Sequence, residues 1–121
     1  MPDEKDVFDP TPSPYSWNKL ANMIYIESPA GVGYSYYEGE APQYDDENTA
    51  VDNYETIVAF FEKFPELKNN DFFISGESYA GIYVPALAHQ IAVVKKDTNI
   101  KLKGILVGNG VTDPKYDYTA A

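Results

Sequence analysis

Cysteine is absent from the 121 residues, so this stretch holds no disulfide framework, thiolate nucleophile or cysteine-based zinc site. Cations are scarce too: Lys and Arg total 9 against 19 Asp and Glu, for a formal net charge of −10. A surface of that sign repels phosphate backbones and anionic lipid, which argues against nucleic acid and membrane surfaces as partners. No apolar run approaches the roughly 20 residues that span a bilayer. The opening Met1-Pro2-Asp3-Glu4-Lys5-Asp6 is charged and has no apolar core of the signal-peptide kind. No Asn-x-Ser/Thr glycosylation acceptor occurs. Histidine occurs once, at His89, which limits acid–base chemistry at neutral pH.

What is present is apolar and aromatic. Hydrophobic residues make up 44% of the chain, with 11 Tyr and 6 Phe, enough for the core of one domain. The first 16 residues carry alternate prolines at Pro10, Pro12 and Pro14, which remove backbone donors and disfavour helix before each of them. They read as an extended lead-in. Asn22-Met23-Ile24-Tyr25-Ile26-Glu27 is a short apolar run that suits a strand at 23–27, buried on both faces as in a parallel sheet. Ser28-Pro29 ends it, and a Gly- and Tyr-rich loop follows.

The acidic cluster Asp45-Asp46-Glu47 opens a helix at 47–63, since negative charge is favourable at a helix N-terminus. Ala50, Tyr54, Ile57, Val58, Phe61 and Phe64 recur at 3–4 spacing and predict its buried face, and Pro65 stops it. A second strand is predicted at 71–75 and a second helix at 83–94, with Leu87, Ala88 and Ile91 inward and Pro85 in its first turn. A third strand covers 102–108. Alternation of strand and helix at this spacing predicts an α/β fold with a parallel sheet and right-handed crossovers.

The chemistry concentrates at Gly76-Glu77-Ser78-Tyr79-Ala80-Gly81, between a predicted strand and a predicted helix. A serine there stands on a sharp turn above the carboxyl edge of the sheet, and small residues on either side let strand and helix pack closely. The N–H of Tyr79, at the helix N-terminus, would point at a developing oxyanion. The same string also suits a serine that merely caps a helix, so the motif alone leaves both readings open.

Four segments carry a resemblance. Asn22 to Tyr36, with its Glu27-Ser28-Pro29-Ala30-Gly31-Val32-Gly33-Tyr34-Ser35 core, resembles a segment of the serine carboxypeptidases. Phe60-Phe61-Glu62-Lys63-Phe64-Pro65-Glu66 resembles a second. Gly76 to Pro85 resembles the nucleophile signature, and Leu102 to Pro114 a fourth segment. They stand in family order and at family spacing over about Tyr15 to Pro114. The chain is therefore similar to a central part of a serine carboxypeptidase (cathepsin A-like, α/β-hydrolase fold), with a lead-in at 1–16, the domain segment at 17–114 and a tail at 115–121.

That resemblance implies an enzyme that removes C-terminal residues from peptides at acidic pH. Ser78 would be the nucleophile, the Tyr79 N–H an oxyanion donor, and Glu77 part of the grip on the substrate's terminal carboxylate. Two carboxyl groups brought together can share one proton, which favours binding at low pH. In the family the catalytic Asp and His follow well downstream of the nucleophile, beyond Ala121, and a Gly-rich oxyanion segment lies before Tyr15. His89 falls eleven residues after Ser78 on one predicted helix, about 16 Å along its axis, and cannot serve as the base. Asp113 and Asp117 read as turn-closing residues and not as triad members.

The expectation is a fragment that is inactive alone. Two alternatives are an acyltransferase relative using the same turn and a non-catalytic binding fragment. No metal or organic cofactor is implied, the partners are peptide C-termini without nucleic acid or membrane insertion, and the family points to lysosome, vacuole or secretion.

Overall fold

The computed structural model describes residues 11–95 and 99–117. The first ten positions of the expected lead-in and the last four of the tail lie outside the described residues. Helix α1 spans Asp46–Lys63, strand β1 Phe72–Glu77, helix α2 Ala80–His89, strand β2 Leu102–Gly108 and a short helix α3 Pro114–Asp117. β1 and β2 pair in parallel, Ile74 opposite Ile105 and Glu77 opposite Gly108. Parallel neighbours need a crossover, and α2 supplies it.

Helix α1 begins where Asp45 caps it: the Asp45 carboxylate accepts from the Asn48 backbone N–H at 2.7 Å and from the Asn48 side-chain amide at 3.0 Å. Asp46 and Glu47 fill its first turn and Lys63 its last, both matched to the helix dipole. Ala50, Tyr54, Ile57 and Phe61 are buried as their spacing predicts, and Val58 is half-buried. Phe64 is not in that face. It is exposed because the helix ends at Lys63: Phe64 has left helical geometry (φ −126°, ψ 65°), the conformational bias expected before Pro65. Its ring instead meets Phe60, 4.9 Å between centroids.

Helix α2 starts at Ala80, three residues before the predicted start, so Pro85 lies inside the helix and not in its first turn. Proline has no N–H to give the Gly81 carbonyl one turn back. At its other end, a π-helical turn at Gln90–Val94 continues α2 to the predicted limit. Leu87 and Ile91 are buried and Ala88 is half-buried, as expected from the pattern. Tyr54, Ile57 and Phe61 of α1 form one core with Ile74 of β1 and with Val84, Leu87 and Ile91.

One face of the sheet is bare, and the other is covered at Ile74 but open at Ile105 and Val107. Burial along β1 alternates, Ile74 inward and Phe73 and Ser75 outward, and Phe73 is 55% exposed. On β2, Ile105, Leu106 and Val107 are also exposed. The strand expected at 23–27 does not form: residues 22–28 carry no regular secondary structure, and the sheet of the described residues has two strands. A strand exists through its ladder of hydrogen bonds to a neighbour. Here a cleft of about 1560 Å³ lies between this segment and β1, lined by Met23, Ile24 and Ile26 on one side and Phe72, Ile74 and Gly76 on the other.

Candidate active site

Ser78 stands at the junction of β1 and α2 with φ at +61°. For a residue with a Cβ, this left-handed conformation costs about 1–2 kcal/mol and persists only where the surroundings enforce it. Three backbone hydrogen bonds do so. The Ser78 N–H donates to the Gly108 carbonyl at 3.1 Å, and the Ser78 carbonyl accepts from Gly81 N–H at 3.0 Å and Val111 N–H at 2.8 Å. The end of β2 and the turn after it thus hold the serine from outside its own strand and helix.

The small residues around Ser78 are required by contact. A Cβ on Gly76 would lie 2.4 Å from the Ala80 Cβ, so strand and helix meet with nothing between them. A Cβ on Gly81 would lie 2.3 Å from the Val111 carbonyl oxygen, against backbone that has no rotamer to yield. The motif therefore spans two separate segments, 76–81 and 109–111, packed against each other. Residues 109–111 carry part of the family resemblance, but no local pattern marks them as packing against the serine turn.

Tyr79 takes helical geometry (φ −60°, ψ −16°) and leads into α2, placing its N–H at the positive end of that helix. Its ring meets Tyr83 edge-on, 4.9 Å between centroids, and its hydroxyl donates to Asp46 at the start of α1, 3.1 Å from Oδ1. The charge cluster alone gives Asp46 only a dipole role, and its reach across 33 residues to Tyr79 has no local signature. Two residues earlier, the Tyr44 hydroxyl is buried without a hydrogen-bond partner among the described residues. Desolvation, with Asp52 and Tyr37 adding to it, holds its pKa above the usual tyrosine value.

Glu77 is the exposed last residue of β1, opposite Gly108, and beside Ser78 in the chain. The large cleft reaches the turn at Glu77, Ala80 and Tyr83. His89 is the exposed last residue of α2, at the opposite end of the helix from Ser78. Asp113 and Asp117 are occupied locally. Asp117 accepts from the backbone N–H groups of Thr112 and Asp113, and Asp113 accepts from Lys115 at 2.8 Å. Glu27 is also turned into its own loop, accepting from Tyr34 N–H at 2.5 Å. Among the described residues, no group of three His, Cys, Asp or Glu is arranged to hold a metal ion.

Comparison with known proteins identifies the family to which the whole chain belongs. The serine carboxypeptidase family profile matches residues 3–121. Serine carboxypeptidase-like 26 of Arabidopsis thaliana is 49% identical over 119 residues, covering 97% of this chain and 25% of the relative. The lysosomal protective protein of Mus musculus is 50% identical over 99 residues, covering 82% of this chain and 20% of the relative. A vacuolar serine-type carboxypeptidase of Saccharomyces cerevisiae is 46% identical over 105 residues, covering 87% of this chain and 20% of the relative. The chain spans a fifth to a quarter of the length of these curated relatives. The chain belongs to the serine carboxypeptidase family, whose α/β-hydrolase fold its helices and parallel strands partly build.

Proposed function

We propose that this chain is the nucleophile-bearing segment of a serine-type carboxypeptidase, which hydrolyses C-terminal residues from peptides through an acyl-enzyme on Ser78. The observation that carries this reading is the left-handed Ser78, held by three backbone hydrogen bonds from β2, α2 and the turn at Val111. Such strain has no purpose in a simple helix cap, because a capping serine adopts extended geometry at no cost.

In this mechanism Ser78 Oγ attacks the carbonyl carbon of the last peptide bond. Negative charge develops on the carbonyl oxygen, where the Tyr79 N–H and the N-terminal dipole of α2 stabilise it. Glu77 shares a proton with the terminal carboxylate of the peptide and so orients the scissile bond. The C–N bond then breaks and the free amino acid leaves, its nitrogen protonated by the base that first took the Ser78 proton.

That base is not in this chain. Its single imidazole, His89, closes α2 at the end away from Ser78, about 13 Å along the axis from the first helical residue, Ala80. The 121-residue chain alone is therefore inactive and acquires activity only in a longer polypeptide that brings a His and an Asp to Ser78. The bare sheet face at Phe73 and Leu106 agrees with this, since apolar parallel strands are ordinarily covered on both faces. One relative is named a lysosomal protective protein and another a vacuolar carboxypeptidase, which supports a lysosomal or vacuolar setting for the intact enzyme.

Fluorophosphonate labelling tests the reading. The 121-residue chain should remain unlabelled, and a longer chain with the downstream residues should label at Ser78 and lose the label in Ser78→Ala. Robust labelling of the short chain would refute the requirement for an external base. A longer chain that labels elsewhere would refute Ser78 as nucleophile.

A further inference from the structure

We propose that Asp46 is a positioning residue for the nucleophile turn, acting through the hydroxyl of Tyr79; this rests on the reading of Ser78 above. The peptide plane between Ser78 and Tyr79 carries the Ser78 carbonyl at one end and the Tyr79 N–H at the other. Gly81 and Val111 fix the carbonyl end, donating to it at 3.0 and 2.8 Å. On the amide side, the same plane is attached to the Tyr79 Cα, which is restrained by the Ile82 and Tyr83 N–H groups on the Tyr79 carbonyl and by what holds the Tyr79 side chain.

Tyr83 and Asp46 are among the groups that hold it. The Tyr83 ring lies against it edge-on, and the Asp46 carboxylate accepts its hydroxyl proton at 3.1 Å to Oδ1 and 3.4 Å to Oδ2. Asp46 is itself placed by the capped start of α1, where Asp45 bonds Asn48. The N-terminus of α1 is thereby tied to the N-terminus of α2 one residue past Ser78. A carboxylate acceptor makes this a charge-assisted bond, and its length and exposure keep its effect modest. Without it, the Tyr79 ring swings and its Cα loses one restraint, so the amide that receives the oxyanion is aimed less tightly.

A double-mutant cycle in a longer chain that labels at Ser78 tests this. Asp46→Ala and Tyr79→Phe should each slow labelling and lower kcat by about two- to tenfold, the range a single hydrogen bond covers, with KM little changed. The double variant should be no slower than the worse single one, and Asp46→Asn, which keeps an oxygen acceptor, should recover most of the rate. A helix-dipole role alone would show in the thermal midpoint for Asp46→Ala, would not depend on Tyr79, and would not be rescued by Asn. Additive losses, or Tyr79→Phe at the full wild-type rate, would overturn the proposal. If Asp46→Ala fails to fold, the Tyr79→Phe rate decides alone. A label that survives Ser78→Ala overturns both this inference and the reading beneath it.

Discussion

Substituting alanine for Gly81 tests whether the turn at Ser78 is held by the segment after β2. On helix propensity alone the change should stabilise α2 by about 1 kcal/mol, since glycine is the poorest helix former after proline. Contact predicts the opposite. The new Cβ would sit 2.3, 2.7 and 2.8 Å from the oxygen, nitrogen and carbonyl carbon of Val111, all of them backbone. Relief requires the Val111 segment to move by about 1 Å, a displacement of the kind that costs roughly 1–3 kcal/mol in a packed interior. The movement also stretches the 2.8 Å bond from Val111 N–H to the Ser78 carbonyl, whose loss is worth about 1 kcal/mol more. Set against the propensity gain, the net expectation is about 1–3 kcal/mol of destabilisation. Urea unfolding followed by tyrosine and tryptophan fluorescence reads this as a lower midpoint at unchanged slope. In a longer, active chain the labelling rate at Ser78 should fall as well. A variant as stable as the parent, with full labelling, would show that Val111 yields freely and that the turn is held by its own strand and helix.

Two other outcomes follow from the elements around the site. Asp45→Ala removes the N-cap of α1 and should cost about 1 kcal/mol, measured as a lower urea midpoint, while Asp45→Asn should keep most of it. Phe73→Thr on the bare sheet face should change unfolding free energy by less than about 0.5 kcal/mol and reduce self-association in sedimentation.

Much of this fold can be read from spacing and punctuation. The 50-54-57-61 stripe, the stop at Pro65 and the two apolar strands depend on local chemistry, and the structure places them where the pattern does. The strand–helix junction at Ser78 is legible for the same reason. What the sequence hides is decided between segments. Residues 23–27 have the composition of a buried strand, yet strand formation needs a partner, and a cleft stands where one would pair. Helix α2 begins before the position that Pro85 suggests, because the Ser78 carbonyl engages the Gly81 N–H and starts the turn early. Val111 against Gly81 and Asp46 against Tyr79 join positions about 30 apart with no periodic signal between them.

The bond from Val111 to the Ser78 carbonyl also sets a schedule. A chain emerging from the ribosome exposes Gly76 to Gly81 long before β2 and the turn after it exist. Until position 111 is out, nothing on the far side of the sheet holds the serine in its left-handed state, and that residue is free to relax to an ordinary one. The left-handed geometry at Ser78 is therefore completed late in synthesis, once β2 and the turn after it are in place.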